Sequence, residues 1–306
     1  MQKVSAILIA SSAIINAVSE GNASRLERPG QTQCGGTLFH WGQRTYIMGI
    51  INVSPDSFSG DGLGDVEAAV ARAESMAAEG ADIIDVGGES TRPSSAEISV
   101  EEELRRVIPV LKRLRGAVTL PLSVDTYRLE VARRALDAGA DMINDIWGLK
   151  KEPELADLAA RRKVPILLMS NQRDLSPQHD VVFPDIVAIV VSDLRRAVEQ
   201  AVASGVPRES IIVDPGIGFG KTPSQNLELI RRLDELRTLD RPILIGSSRK
   251  SMAGYVLDLP VDQRLEATAA TVAIAIARGV DIVRVHDIRE MVRVCRMSDA
   301  VIRGWP

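Results

Sequence analysis

The sequence predicts an α/β fold, a (β/α)8 TIM barrel with an N-terminal extension. Three observations carry that prediction. Short apolar runs of strand length alternate with longer segments of helical 3–4 spacing. The alternation continues from Tyr46 to the C-terminus without a second compositional region. Almost every apolar run ends in a polar side chain. Strands alternating with helices pair in parallel through right-handed crossovers. Eight such units in about 260 residues close most simply into a barrel. An open doubly wound sheet, the runner-up, would show a break or a distinct insertion.

The strands are read at YIMGII (46–51), ADIIDVG (81–87), LPLSVD (120–125), DMINDI (141–146), PILLMS (165–170), SIIVDPG (210–216), PILIGSS (242–248) and DIVRVHD (281–287). Between and after them lie helices. The first, 65–80, ends in Gly80 as a residue past the helix end. The second, 100–116, has Ser99 as a cap with Glu102 three residues on. The others are read at 127–139, 152–162, 184–205, 224–237, 264–279 and 287–302. The phrases EGADIID (79–85), AGADMIN (138–144) and RGVDIVR (278–284) fit equivalent helix-to-strand corners, and fit ordinary αβ-loop chemistry equally well. Residues 31–306 are taken as the barrel domain. Residues 1–30 are an extension, read as an unstructured arm or a start placed too early rather than a secretory leader. Their apolar run lacks a clean A-x-A end and is short and Ser-rich for a membrane span.

Composition narrows the function. Aromatic residues are 3%, so the core is aliphatic. A net charge of −4 and the lack of a dense basic stripe argue against a nucleic-acid surface. Cys34 and Cys295 form no CxxC pair, and His40, His179 and His286 are scattered, so neither a zinc site nor a disulfide framework is expected. A cytoplasmic setting fits. DPGIGFGKT (214–222) ends like a phosphate-binding loop but carries Pro215 where that motif needs Gly. Its glycines suit close backbone approach to a ligand, with Phe219 as a stacking wall.

In a (β/α)8 barrel the active site lies at the C-terminal ends of the strands. Those ends offer Asn52; then Glu89, Thr91 and Arg92; Asp125; Asn144 and Asp145; Ser170 and Asn171; Asp214; Ser248, Arg249 and Lys250; and Arg284, His286 and Asp287. The loop after Asn52, VSPDSFSGDG, adds Ser57 and a lone Phe58. Asp125, Asn144 and Asp214 interrupt apolar runs where burial is expected, and an unmatched buried carboxylate is costly. Either they satisfy one another or they await a ligand. With Lys250 they would suit a flat heterocycle with several N–H donors. Arg92 and Arg284 suit phosphate or carboxylate, and Asn52 could give one neutral oxygen to Mg2+ held mainly by ligand phosphates.

Seven blocks in order resemble the dihydropteroate synthase family of pterin-binding barrels. They are INVSPDSFSGDG (51–62), DVGGESTRP (85–93), SVDT (123–126), IND (143–145), DPGIGFGK (214–221), GSSRK (246–250) and RVHD (284–287). The resemblance covers Tyr46 to the C-terminus. It implies condensation of 6-hydroxymethyl-7,8-dihydropterin diphosphate with p-aminobenzoate, releasing pyrophosphate by an SN1-like course, and a sulfonamide target. It implies a pterin slot of Asp125, Asn144, Asp214 and Lys250. Asn52, Arg92, Arg284 and His286 would bind the diphosphate, with Mg2+ at Asn52. Ser57, Phe58, Thr91, Arg92, Pro93, Phe219 and Ser248 would surround p-aminobenzoate. Asp125, Asp214, Lys250 and Arg284 would carry the chemistry, in a homodimer. The sequence departs from the family pattern at Ser94, Ser170 and Ala267. A non-catalytic pterin-binding paralogue and a methyltetrahydrofolate-binding methyltransferase barrel are the competing expectations.

Overall fold

The computed structural model describes residues 30–53, 62–89 and 97–305. Eight parallel strands form the central sheet: β3 (Tyr46–Asn52), β4 (Ile83–Gly87), β5 (Leu122–Asp125), β6 (Met142–Asp145), β7 (Ile166–Met169), β8 (Ile211–Asp214), β9 (Leu244–Ile245) and β10 (Ile282–Val285). Their spatial order is β8-β7-β6-β5-β4-β3-β10-β9. A parallel bridge from Val213 to Ile243, with the Val213 amide donating to the Pro242 carbonyl at 3.0 Å, joins the two ends and closes the barrel. All eight sequence-predicted strands are present.

The helices are α1 (Gly62–Glu79), α2 (Val100–Ala117), α3 (Leu129–Asp137), α4 (Leu155–Arg162), α5 (Ile186–Ala203), α6 (Pro223–Arg231), α7 (Ser251–Leu257), α8 (Leu265–Ala277) and α9 (Ile288–Arg303). Ser99 caps α2 as expected, accepting from the Glu102 amide at 3.2 Å. Two helical details differ from expectation. The segment read as one helix at 224–237 is α6 followed by a 3-10 helix over Leu233–Leu239. The short helix α7 falls in a stretch without helical periodicity and buries just Met252 and Ala253.

The repeated corner phrase has a structural basis. Gly80, Gly139 and Gly279 adopt φ of 105°, 107° and 96°, which a side chain would strain. The aspartate two residues after each glycine accepts a backbone amide of a neighbouring strand or its lead-in. Asp82 takes Ile47 N–H at 2.9 Å, Asp141 takes Leu122 N–H at 2.9 Å and Asp281 takes Ile243 N–H at 3.0 Å. The three corners are equivalent in geometry as well as in spelling.

An antiparallel hairpin precedes the barrel, which the sequence reading did not anticipate. Strands β1 (Gln31–Cys34) and β2 (Thr37–His40) place Cys34, Phe39 and Trp41 in one buried cluster with Tyr46, Met48, Ile83, Met142, Leu167, Ile212, Leu244 and Ile282. The hairpin thus plugs the N-terminal end of the barrel. Phe39 and Trp41 stack at 5.5 Å, and both meet Tyr46 edge-on. The Trp41 indole N–H donates to Thr32 Oγ1 at 2.8 Å, so no polar atom of the ring is stranded. Burying a ring such as Phe39 stabilises the fold by roughly 2–3 kcal/mol.

A second cluster lies outside the barrel and is aliphatic, as composition required. Ile47, Ile84, Val86, Val124, Ile143, Leu168, Val213 and Val283 pack there against the helices. Side chains alternate along each strand. The inward positions near the hairpin are therefore apolar except for Ser123 on β5, and two residues further on they become Asp85, Asp125, Asn144, Asp214 and Arg284. Fold geometry, not local sequence bias, gathers these polar groups in one layer.

Candidate active site

The centre of that layer is Arg284. Its Nε donates to Asp85 Oδ2 at 2.7 Å and its Nη2 to Asp125 Oδ2 at 2.8 Å. Asn144 Nδ2 donates to the same Asp85 oxygen at 3.1 Å. Asp85 is wholly buried, and its Oδ1 has no hydrogen-bond partner among the described residues. The expected polar set is therefore partly self-satisfied through Arg284, a residue expected at the diphosphate and in the chemistry but not in the pterin slot.

Asp214 ends β8 and takes the Gly216 amide on Oδ1 at 2.7 Å. Burial raises its pKa to about 6, against the pull of that amide and of Lys250, Lys221 and Arg284. Burial also raises Asp125, opposed by Arg284. Lys250 is lowered to about 8, again by burial first, with Arg284 adding repulsion. Its ammonium lies 4.4 Å from the centre of the Phe219 ring, and the Arg173 guanidinium lies 4.5 Å from it. Phe219 is thus a buried ring with cationic neighbours. Lys250 also crowds Gly218, where an added Cβ would meet its Cδ at 3.1 Å.

His286 and Ser248 form a pair. Ser248 Oγ lies 3.0 Å from His286 Nδ1 and accepts from the His286 backbone N–H at 3.3 Å. Burial, then Arg284 and Arg249, lower the imidazole to about 4. It is neutral at physiological pH. Asn52 sits half-buried at the end of β3, in register with Gly87.

Several other strand-end groups are structural. Asp145 accepts the amides of Trp147 and Leu149 at 2.8 and 2.7 Å and shapes its own turn. Ser170 donates to Asp193 at 2.9 Å, and Asn171 donates to the Ile146 carbonyl at 3.0 Å. Arg249 is neutralised by Asp287, and Glu89 lies 3.1 Å from Arg128. Ser57, Phe58, Thr91, Arg92, Pro93 and Ser94 lie outside the described residues.

Two buried residues, one in the layer and one behind it, were missed in the sequence. Asp85 interrupts an apolar run just as Asp125 does, so the same signal was there to read. Lys221, 1% exposed, was passed over with the failed phosphate-loop match.

The profile of the family described as pterin binding enzyme matches residues 48–286. The chain belongs to the pterin-binding enzyme family. Within that family it stands among the dihydropteroate synthases. It is 46% identical to the dihydropteroate synthase of Clostridium beijerinckii, over 88% of this chain and 98% of that one. A solved dihydropteroate synthase from Clostridium difficile, in the presence of pteroic acid, superposes with a TM-score of 0.82 at 46% identity, covering 87% of this chain and 99% of that one. The Xanthomonas albilineans enzyme in complex with 7,8-dihydropteroate gives 0.81 at 39% identity, covering 90% and 100%. Each strand end that builds the polar layer, from Asn52 to His286, falls inside the family match. Among the described residues no group of three His, Cys, Asp or Glu side chains could hold a metal ion, and no helix is long and apolar enough to cross a membrane.

Proposed function

We propose that this chain acts as a dihydropteroate synthase, condensing 6-hydroxymethyl-7,8-dihydropterin diphosphate with p-aminobenzoate to give 7,8-dihydropteroate and pyrophosphate. The carrying observation is the inward layer of Asp85, Asn144, Asp125, Asp214 and Lys250 around one arginine. Such a layer offers several acceptors to a flat heterocycle rich in N–H donors. The pterin lies among Asp125, Asn144, Asp214 and Lys250. Departure of pyrophosphate leaves positive charge on the pterin methylene and ring, and two buried carboxylates stabilise that charge where water is excluded. The arylamine nitrogen then attacks the methylene carbon and loses its proton. No covalent enzyme intermediate is needed, and carboxylates placed against the developing cation favour an SN1-like course over direct displacement.

The leaving diphosphate is held by Asn52, Arg92, Arg284 and His286. A neutral His286 gives a hydrogen bond rather than a charge. If Ser248 Oγ–H donates to Nδ1, the proton of the ring lies on Nε2, which then points a donor at the anion. Mg2+ fits just as a metal carried in on the diphosphate, with the Asn52 amide supplying one oxygen, because the described residues offer no carboxylate cage for it. When bound it would supply positive charge to the leaving group. Phe219 and Ser248, with Ser57, Phe58, Thr91, Arg92 and Pro93, form the p-aminobenzoate site.

A cytoplasmic homodimer is part of this reading. Both cysteines are free and buried, in keeping with a reducing compartment. Tyr255, Val256, Leu257, Ile274, Met297 and Val301 on α7, α8 and α9 are exposed apolar side chains, a candidate contact for a second copy.

Incubation of the purified protein with the pterin diphosphate, p-aminobenzoate and Mg2+, followed by chromatography for dihydropteroate, tests the proposal. Product formation that depends on both substrates supports it. Pterin diphosphate binding without product would leave a non-catalytic paralogue.

A further inference from the structure

Among the described residues Lys221 is the one fully buried lysine, at 1% exposure. Its Nζ donates to three backbone carbonyls, those of Ser170 at 2.8 Å, Gly216 at 3.0 Å and Phe219 at 3.1 Å. These carbonyls belong to two different loops, one after β7 and one after β8. The loops are joined further by the Ser170 amide on the Asp214 carbonyl at 2.9 Å and the Gln172 amide on the Phe219 carbonyl at 3.3 Å. They also touch backbone to backbone. An added Cβ at Gly216 would sit 2.1 Å from the Ser170 oxygen, and one at Gly220 would sit 2.2 Å from the Gln172 carbonyl carbon. Asn226 on α6 completes the clamp from outside, accepting the Gly218 amide at 2.7 Å and donating to the Lys221 carbonyl at 3.1 Å.

We infer that Lys221 is a positioning residue of the pterin slot, whose buried ammonium locks the loop after β8 onto the loop after β7 and thereby sets Asp214 and Phe219. This rests on the functional reading above. Gly216 connects Lys221 to Asp214 through its own backbone. Its carbonyl accepts from Lys221 and its amide donates to Asp214. Phe219, likewise, is held by its carbonyl to Lys221 while its ring faces Lys250.

A buried charge costs more than a neutral donor at the same place would. The charge is therefore informative. The groups acting on Asp214 are Lys250 after β9, Lys221 on its own loop and Arg284 on β10. Burial lowers Lys221 to about 7, opposed by Asp214 and by Asp193 on α5 and aided by Lys150 after β6 and Lys250, so the ammonium is present over the acidic range in which Asp214, at about 6, takes up its proton. Lys221 is thus a cation set behind the slot, favouring the ionised form of a carboxylate that burial works to protonate.

The test compares full-length wild type with Lys221→Met and Lys221→Arg, each checked for folding by circular dichroism and thermal melting. The readout is the dissociation constant of 6-hydroxymethylpterin, measured calorimetrically across about pH 5 to 8. Lys221→Met should weaken pterin binding about tenfold at neutral pH. It should also move the acidic limb of binding upward by about one pH unit. Lys221→Arg keeps the charge and should keep the limb where wild type has it. A lysine that merely stabilised the loops would lower the melting temperature and leave the affinity and limb of the folded protein unchanged, which overturns the inference. Should Lys221→Met not fold, Lys221→Gln, which loses the charge but keeps two donors, decides in the same way. A wild-type protein that binds no pterin overturns the functional reading and this inference together. A binding wild type with unchanged variants overturns the inference alone.

Discussion

Arg284 and Asp85 form an ion pair of 2.7 Å from β10 to β4, with the carboxylate wholly buried and the guanidinium 19% exposed. The two strands are not neighbours, since β3 lies between them. The pair therefore ties the polar layer together across the barrel. The guanidinium is shared with Asp125, and one Asp85 oxygen has no hydrogen-bond partner among the described residues.

Asp85→Ala removes one of the two partners of a largely buried guanidinium and the acceptor of Asn144. Breaking such a pair should cost about 3 kcal/mol, the lower end for buried pairs, because Asp125 remains. Urea denaturation of the unliganded protein measures this. A loss near zero would mean that water replaces the carboxylate without penalty.

Asp125→Ala should abolish pterin binding, because the slot loses an acceptor that also holds Arg284. Calorimetric titration with the pterin diphosphate reads it. Near-wild-type affinity would remove Asp125 from the slot.

Arg284→Ala should weaken binding of the pterin diphosphate more than that of the bare pterin. It should not spare the bare pterin, since two carboxylates are left without their cation and repel each other. Affinities for the two ligands, taken side by side, separate these effects. Equal losses would confine Arg284 to the pterin end.

Acid should act in opposite directions on binding and on stability. Asp214 has its pKa raised from 3.8 to about 6. Below that value the carboxylate takes up a proton and accepts fewer hydrogen bonds, so pterin affinity should fall by up to about tenfold per pH unit for one linked proton. Stability runs the other way. A raised pKa means that the folded state holds the proton more tightly than the unfolded chain. The contribution is full below about 3.8 and is lost as pH rises through about 6. His286, lowered to about 4, is neutral through the upper part of this window and takes up its proton just at the acidic edge. Melting curves with and without pterin at pH values on both sides of 6 should show a shrinking ligand-induced shift on acidification. A shift independent of pH would contradict the assignment.

Much of this was legible in the sequence because the barrel is built by repetition. Eight apolar runs with polar ends gave the strands, their direction and the face that carries chemistry. Asp125, Asn144 and Asp214 stood out because each breaks an apolar run. Which way a side chain points was harder to read. Asp82 and Asp85 lie three residues apart in one run, yet the first caps a neighbouring strand and the second faces the slot. Only strand register decides between them. Asp145 looked like Asn144 and proved to be a turn former, for the same reason. Lys221 was judged against a nucleotide-binding spacing, which hid its contact with Ser170, 51 positions away. The hairpin escaped because its strands are four residues each, although Gly35 and Gly36 between them are a turn signal.

That hairpin also bears on where this enzyme begins as a physical object. The family match starts at residue 48, whereas Cys34, Phe39 and Trp41 fill the base of the barrel from the residues before it. A fragment trimmed to the matched span would keep every strand end of the slot and lose its own floor. Water would then reach Met48, Met142 and Ile282 from below, beneath the carboxylates whose ionisation depends on staying dry. The shortest piece worth expressing is therefore set by the underside of the barrel rather than by the residues that meet substrate.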